Sequence, residues 1–324
     1  MVNQRTIDAV EASDTDELLR VIDGHCTSKA WERLLELRQL LADALTRGKQ
    51  LWGVDEHIRY RLALEAPAEL AAAAVAEGPA RFALGPLTEV VATTHSFAQL
   101  NRHLAPGPTR TWVAQERVLR GERIDPGDIE VGLIELPLWL EPWETEYPEV
   151  TYKKDRVESE PPPLPPLSPI ELPREAEEID DPAGRIALTA LVATWVEESN
   201  GRATAVCAGG GLAEAVRLTG VSRATAASID LATAVGLMAW SAASGGAHGR
   251  RKGGAAGRLA TWWALAELTG CEWPPDPQPL WELIKALEWW VWSDLSAGPG
   301  WNLSLAVHSP SERLTWAIAA TDAE

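Results

Sequence analysis

The residues best suited to chemistry lie in segment 245–263, GGAHGRRKGGAAGRLATWW. It gathers four cations and six glycines in a chain whose net charge is −18. Cationic side chains beside glycine amides suit a phosphate or carboxylate, because bare N–H groups at a helix N-terminus bind anions. We therefore predict a candidate anion-binding site. Its residues are His248, Arg250, Arg251, Lys252, Gly253, Gly254 and Arg258.

The same cations raise an electrostatic problem, since they precede or begin a predicted helix at 256–270. A cation at a helix N-terminus is destabilising by roughly 0.3–1 kcal/mol at low salt. An external anion is one remedy. A commoner one is pairing with the chain's own carboxylates, from Glu272, Asp276 or the acidic segment 141–182. A third possibility is an exposed, unpaired loop.

Two glycine motifs resemble nucleotide-binding sequences but depart from them in detail. AGGGLAEAV follows a predicted strand, yet Glu214 occupies the third glycine position and would oppose an anion. This pattern favours a simple strand-to-helix turn. Segment 245–263 has the glycine separation of a P-loop, at Gly249 and Gly254, but Ala255 and Ala256 replace the lysine and the Ser/Thr that would ligate magnesium.

Metal-binding and catalytic motifs are not recognisable. The six histidines are dispersed without metal-ligand spacing, and the three cysteines form no C-x-x-C pair. No G-x-S-x-G nucleophile motif occurs. We accordingly predict no metal and no cofactor, and the sequence assigns no catalytic residue. Three widely separated cysteines favour a reducing, cytoplasmic location.

The negative charge is concentrated in the middle of the chain. Residues 141–181 carry 13 acidic and 4 basic residues, half of the net charge of the whole chain. Such a field repels nucleic acid and anionic membranes, so neither is expected as a partner. Residues 231–249 carry no charge, but their strongly apolar part is about 12 residues, shorter than the roughly 20 that span a bilayer. We predict a buried helix there.

Composition divides the chain into three regions. Residues 1–140 have helical periodicity and predict an all-helical array, with Ser13 as an N-cap. Residues 141–182 predict an extended acidic Pro-rich linker. Within this linker, PPPLPP resembles a polyproline II ligand for an aromatic groove, but a stiff spacer is the favoured interpretation, because such runs are common in linkers.

Residues 183–324 predict a Trp-rich α+β domain with helices packed on a mainly antiparallel sheet of about four strands. The strands are predicted from RATAVCA, EWWVWSD, WNLSLAVHS and RLTWAIAATD. Eleven of the 16 tryptophans lie at or after Trp195. They favour an aromatic core, while a stacking platform for bases or sugars is the alternative.

Three stretches of this last region, SNGR, GGAHGRRKGGAAGRLATWWALAEL and LTWAIAATDA, resemble a bacterial family of unknown function. The resemblance covers mainly residues 184–324 and implies no activity. We expect a cytoplasmic, non-enzymatic interaction protein with a protein partner on the Trp-rich domain or the Pro-rich linker. The alternative is a binder of, or enzyme for, a phosphorylated or carboxylated small molecule held by loop 245–258.

Overall fold

The chain folds into two compact units. The computed structural model describes residues 3–130, 134–144, 147–295 and 300–323. Unit 1 comprises Met1–Arg117, Ile124–Leu133 and Val150–Glu158, and unit 2 comprises Val118–Arg123, Ile134–Glu149 and Ser159–Glu324. The acidic segment 141–182 therefore contributes residues to both units.

Unit 1 is built mainly from helices. They are α1 (Gln4–Ala12), α2 (Thr15–Thr27), α3 (Trp31–Thr46), α4 (Trp52–Glu65), α5 (Ala68–Ala76), α6 (Leu87–Thr94), α7 (Phe97–Asn101) and α8 (Pro108–Val118), with a 3-10 turn at Pro126–Asp128. A short antiparallel hairpin, β1 (Thr151–Tyr152) and β2 (Val157–Glu158), also belongs to this unit. Apolar side chains of α1 to α4 bury one face of each helix and form a core.

The start of α2 differs by one residue from the prediction. Asp14, rather than Ser13, is the N-cap, and its carboxylate accepts a hydrogen bond from the backbone N–H of Glu17 at 3.0 Å. Ser13 instead ends α1 in the left-handed conformation, with φ 54°. Both residues are good caps by type, so the closely preceding end of α1 decides between them.

Unit 2 is built around a seven-stranded antiparallel sheet with the order β3-β6-β7-β8-β9-β5-β4. The strands are β3 (Ser168–Ile170), β4 (Glu177–Glu178), β5 (Arg202–Gly209), β6 (Ala224–Ile229), β7 (Glu288–Asp294), β8 (Trp301–Ser309) and β9 (Leu314–Asp322). The mixed α+β class is confirmed. The expectation of about four strands is wrong, because only β5, β7, β8 and β9 carry a recognisable strand pattern.

The three further strands lack that pattern for physical reasons. Strand β6 has the sequence ATAASI, and its alanines and serines have little strand preference. It is a strand because it pairs with β7, from Ala224 opposite Asp294 to Ile229 opposite Trp289. Strands β3 and β4 come from the proline- and glutamate-rich segment and pair with β6 and β5. Short strands with proline and charge are typical of sheet edges.

Helices cover both faces of this sheet. They are α9 (Pro182–Ala190), α10 (Ala193–Glu198), α11 (Leu212–Leu218), α12 (Leu231–Ala243), α13 (Gly254–Thr269) and α14 (Pro277–Ile284). Side chains along β5 alternate between the faces: Cys207 joins the core formed with α9, α12 and α13, while Val206 joins a smaller core beneath α11.

Tryptophans fill the larger of these two cores. Trp195, Trp262, Trp289 and Trp316 are all buried in it. Helix α12, from the uncharged segment, is buried over most of its length. Among the helices of the described ranges, none is both long enough and apolar enough to cross a membrane.

Helices α12 and α13 approach each other closely at Gly257. A Cβ atom there would lie 2.2 Å from the carbonyl oxygen of Ala239 and 3.0 Å from the Cβ of Ala243. Only glycine permits this contact. The contact fixes the position of α13 in unit 2, and with it the position of the next residue, Arg258.

Candidate functional site

The arginine loop, residues 244–253, connects α12 to α13 and is fixed through its backbone. The N–H groups of Lys252 and Gly253 donate to the carbonyl oxygen of Ala243 at 2.8 and 3.3 Å. Gly253 is the N-cap of α13 and has φ 99°, a left-handed value that favours glycine. Two of the amides that the sequence offers to an anion therefore have a partner at the last residue of α12.

A buried carboxylate near the C-terminus holds the middle of the loop. Asp322 accepts hydrogen bonds from the backbone N–H of Ala247 at 2.6 Å and from the Ser199 hydroxyl at 3.0 Å. The Ser199 oxygen in turn accepts from the backbone N–H of His248 at 3.1 Å. The loop is thus tied to two distant parts of unit 2.

Arg258 points into the protein and is 0% exposed. Its Nε and Nη2 atoms donate to the two carboxylate oxygens of Glu144 at 2.7 and 2.8 Å, in a bidentate pair. Two further N–H groups, of Nη1 and Nη2, donate to the backbone oxygens of Pro137 at 2.8 Å and Trp139 at 3.0 Å. All of these partners lie within residues 137–144. Arg258 therefore holds this segment against α13.

Glu144 is the centre of this buried network. Besides Arg258, its carboxylate accepts from the Trp262 indole N–H at 2.7 Å, the Tyr147 hydroxyl at 2.6 Å and the Glu141 backbone N–H at 3.0 Å. Each of these groups donates a hydrogen bond to the ionised Glu144 carboxylate. Protein hydrogen bonds therefore replace the water that the buried negative charge has lost.

The pKa values follow from this arrangement. Burial opposes ionisation of Glu144, but the hydrogen bonds and charge of Arg258 outweigh burial and lower the pKa of Glu144. The pKa of Arg258 is raised, because Glu144 overcomes the effect of burial there too. Burial, reinforced by the adjacent carboxylate, raises the pKa of the Tyr147 phenol well above its usual value. The Tyr147 phenol therefore stays protonated near neutral pH and donates to Glu144.

Lys252 has a surface partner. Its Nζ lies 2.6 Å from Glu198 Oε1, and both side chains are about two-fifths exposed, at 43% and 39%. The second oxygen of Glu198 accepts from the backbone N–H of Arg250 at 3.2 Å. These hydrogen bonds, that of Lys252 foremost, lower the pKa of Glu198.

The other candidates lie at the surface. Arg251 is partly buried, and its Nη1 donates to the Ser159 hydroxyl at 3.3 Å. The side chains of Arg250 and His248 are exposed. The candidate cations thus contact separate segments, around Glu144, Glu198 and Ser159, and the structure does not bring them together around one point.

The sequence did not identify two of the carboxylates in these contacts, Glu198 and Asp322. A linker carboxylate was among the partners considered, and Glu144 lies in segment 141–182. Arg258 and Lys252 are 114 and 54 residues from their partners, so local spacing carries no signal of the pairing.

The glycine turn before α11 is explained by local structure. Gly210 has φ 126°, and the backbone N–H of Gly211 donates to the Glu214 carboxylate at 3.1 Å. Glu214 therefore caps its own helix at the place where a nucleotide phosphate would bind. Within the described ranges, no three His, Cys, Asp or Glu side chains are grouped so that they could hold a metal ion.

Comparisons with known proteins give a family without a function. No curated protein and no solved structure matches the chain. One family model does match, over residues 16–324, which extends the resemblance predicted for the C-terminal region to nearly the whole sequence. The chain therefore belongs to DUF6183, a family of unknown function.

Proposed function

We propose that this protein is a cytoplasmic, non-enzymatic interaction protein, and that segment 160–167 is the element its protein partner recognises. The observation that carries the proposal is the attachment of this segment to unit 2 at both ends. Before it, Ser159 accepts hydrogen bonds from Arg251 at 3.3 Å and, through its carbonyl oxygen, from the Trp240 indole at 3.4 Å. After it, β3 pairs with β6.

Between these attachments the segment is rich in proline and largely exposed. Five of the six residues 161–166 are proline. Pro162 and Pro165 are partly buried, whereas Pro161, Pro163, Leu164 and Pro166 are exposed. A burial period of three residues is that of a polyproline II helix resting on one of its edges. The outer edges present prolines and a leucine that is 46% exposed.

Such a segment suits an aromatic groove on another protein. Proline-rich ligands dock between aromatic side chains, and a ligand that is already ordered loses less conformational entropy on binding. Acidic residues flank the prolines on both sides, at Glu160 and Glu171. The partner that fits best has an aromatic groove with a basic rim.

The arginine loop supports this proposal over the anion-binding alternative. Arg258 and Lys252 each have a carboxylate partner within the chain, and Arg251 donates to Ser159 beside the proline segment. In this interpretation the loop has a supporting role: it helps to anchor the recognition element. The three free cysteines, two of them buried, agree with a reducing compartment.

The test is quantitative capture of partners from extracts of the source organism with wild type and two leucine variants. Leu164→Asp places a charge on the exposed proline segment. Leu283→Asp is the matched control, because Leu283 is also exposed in unit 2, at 44%. We expect Leu164→Asp to lose at least nine-tenths of a partner that Leu283→Asp retains. Equal capture by both variants would contradict the proposal.

The anion-binding alternative has its own measurement. Thermal shifts with phosphate, nucleotides and dicarboxylates at low salt are compared between wild type and Arg250→Ala/Arg251→Ala. We expect no ligand-dependent shift in either protein. A stabilisation of wild type by one of these anions that disappears in the double variant would favour a small-molecule function for loop 245–258.

A further inference from the structure

Strand β5 is covered on one side along its whole length and on the other side only at its end. It pairs with β9 through all eight of its residues, but β4 pairs only with the last two, Ala208 and Gly209. A hydrogen bond from the Ile179 N–H to the Cys207 carbonyl oxygen, at 2.8 Å, extends this contact. Along residues 202–206, no strand of the described ranges pairs with β5 on this side. These residues form an open sheet edge.

The pairing determines which backbone groups face the open edge. In an antiparallel strand, alternate residues direct their N–H and C=O groups to opposite neighbours. Since the Cys207 carbonyl faces the side of β4, the backbone groups of Ala203 and Ala205 face that side as well. The Ala205 carbonyl shows it directly, because it accepts a hydrogen bond from Arg185 Nε at 3.1 Å. An arginine side chain thus stands in for one bond of a missing strand.

A groove of about 450 Å³ lies between this edge and α9. Its walls include Arg185, Ile186 and Thr189 from α9 and residues 203–205 from β5. Its volume falls within the roughly 300–1,000 Å³ typical of ligand sites. The Ile186 side chain is 58% exposed and offers an apolar contact. A groove beside an open strand edge suits an extended peptide, because the peptide backbone continues the sheet.

The open stretch lacks the usual protection of sheet edges. Edge strands commonly carry proline, charged side chains or a bulge, which hinder pairing with another chain. Strand β3 contains Pro169, and β4 consists of Glu177 and Glu178. Residues 203–205 are Ala-Thr-Ala, and their pairing with β9 continues in register without a bulge. This stretch can therefore accept a further strand.

Charge at the two ends of the edge defines the peptide. Arg202 is exposed at the first residue of β5. Glu177 and Glu178 are exposed beside its other end, where Glu178 also lies 3.6 Å from Arg185 in a solvent-exposed pair. A strand antiparallel to β5 would bring its C-terminal end to Arg202 and its N-terminal end to the glutamates. Charge complementarity therefore favours a basic N-terminal end and an acidic C-terminal end.

We propose that residues 202–206 are a docking site for an extended segment of a partner protein, which adds to the sheet as an antiparallel strand. The segment has β-branched residues between a basic N-terminal end and an acidic C-terminal end. Its backbone bonds to Ala203 and Ala205, and its N–H replaces Arg185 at the Ala205 carbonyl. This site is separate from segment 160–167, so its binding should persist in the Leu164→Asp variant and the two proposals can fail independently.

Selection of displayed random octapeptides on the full chain supplies the probes. We expect enrichment of peptides with β-branched residues, a basic N-terminal end and an acidic C-terminal end. The most enriched peptide is then synthesised in two N-methylated forms, each with methyl groups on one set of alternate amides. N-methylation removes donors but keeps every side chain. Only the set that faces β5 should matter, so fluorescence anisotropy should show at least a tenfold loss of affinity for one form and little loss for the other.

Variants of the protein test the same contact from its other side. Ala203→Pro removes an N–H that faces the open edge, and proline is tolerated there because the bonds to β9 remain. We expect a loss of affinity of at least tenfold. If this variant fails to fold, the two N-methylated peptides still test backbone pairing on the unaltered protein.

The charge assignment is tested by Arg202→Glu, which should weaken binding of the same peptide at least threefold. Arg223→Glu is the matched control, because Arg223 is also exposed in unit 2, immediately before β6. Equal losses in these two variants would contradict the proposal. So would the absence of any enriched peptide, equal affinities of the two N-methylated forms, or full affinity of a folded Ala203→Pro protein. Self-association of wild type that Ala203→Pro abolishes, measured by analytical ultracentrifugation, would assign the edge to a second copy of this chain instead.

Discussion

Arg258 and Lys252 come from one short stretch of sequence and pair with glutamates in opposite environments. The Arg258–Glu144 pair is completely buried, whereas both members of the Lys252–Glu198 pair are about two-fifths exposed. The first pair includes a bidentate contact and further hydrogen bonds to indole, phenol and backbone groups. The second is a single contact at the surface.

The difference shows that a cluster of cations in a sequence need not have one role. Transferring two ions into a protein interior costs several kcal/mol per ion, and only complete hydrogen bonding compensates for it. The Glu144 network meets that condition, so its role is to hold the segment around residues 137–144 on α13. An exposed pair is screened by water and salt and contributes about 0.2–1 kcal/mol.

The largest expected effect is that of breaking the buried pair. Glu144→Ala leaves the Arg258 guanidinium buried without a counter-charge, and we expect unit 2 to lose about 3–5 kcal/mol of unfolding free energy. Chemical denaturation followed by tryptophan fluorescence measures this loss. An unchanged denaturation midpoint would show that water reaches Arg258, and the contrast between the two pairs would disappear.

A double replacement sharpens this experiment. Glu144→Leu/Arg258→Met removes both charges and keeps apolar volume, so it should recover most of the stability that Glu144→Ala loses. If the double variant is as unstable as the single one, the hydrogen bonds to Trp262 and Tyr147 stabilise the fold more than the charge pair does.

The second prediction concerns how the stability of unit 2 depends on pH through the Glu144 carboxylate. Because the folded pKa of Glu144 is below its unfolded value of about 4.3, its contribution is complete above that value and is lost as the pH falls through the folded pKa. Each unit of the difference corresponds to roughly 1.4 kcal/mol. We expect unit 2 to lose stability as the pH falls below about 4.3.

Glu144→Gln isolates this contribution from that of other carboxylates. Its stability should be lower than that of wild type at pH 7, and the two should converge as the pH falls through the folded pKa of Glu144. Parallel pH profiles of the two proteins would mean that folding does not change the pKa of Glu144, contrary to the lowered pKa.

How far the sequence predicts this structure differs between the fold and the site. Strands β7, β8 and β9 are predicted because aromatic and β-branched residues mark them. Strand β6 is not, because its alanines become a strand only through pairing with β7. The helices α12 and α13 are predicted from apolar runs between glycine turns, but their close contact at Gly257 is a tertiary feature.

The site is predicted less well than the fold. The sequence draws attention to the positions of Arg258 and Lys252, because cations near a helix N-terminus need a compensating charge. It does not indicate which carboxylate compensates each, since Glu144 and Glu198 reach them through packing. Nor does it show that Arg258 points inward, because that depends on the position of α13 against α12.

The third prediction tests how strongly the buried pair depends on this helix contact. Gly257→Ala places a Cβ 2.2 Å from the Ala239 carbonyl oxygen, a backbone atom that cannot move away cheaply. We expect a loss of about 1–3 kcal/mol, as for overpacked cores, despite alanine's better helix propensity. Thermal denaturation measures it.

Gly24→Ala is the matched control for this substitution. Gly24 is also helical, in α2 of unit 1, and nothing lies within 4 Å of a Cβ built there. It should gain about 0.5–1 kcal/mol, because alanine loses less backbone entropy in a helix. Stabilisation by both substitutions would mean that α12 and α13 can separate without cost, and Arg258 would then not depend on their contact.

The smallest effect is expected at the surface pair. Lys252→Ala removes the contact with Glu198 but leaves the backbone N–H of Arg250 bonded to the same carboxylate. We expect a change of at most about 1 kcal/mol, which decreases further as salt screens the exposed charges. Melting temperatures at low and high salt measure it. A salt-independent loss as large as that of Glu144→Ala would place the Lys252 pair in the same class as the buried one, because only a pair shielded from water resists screening.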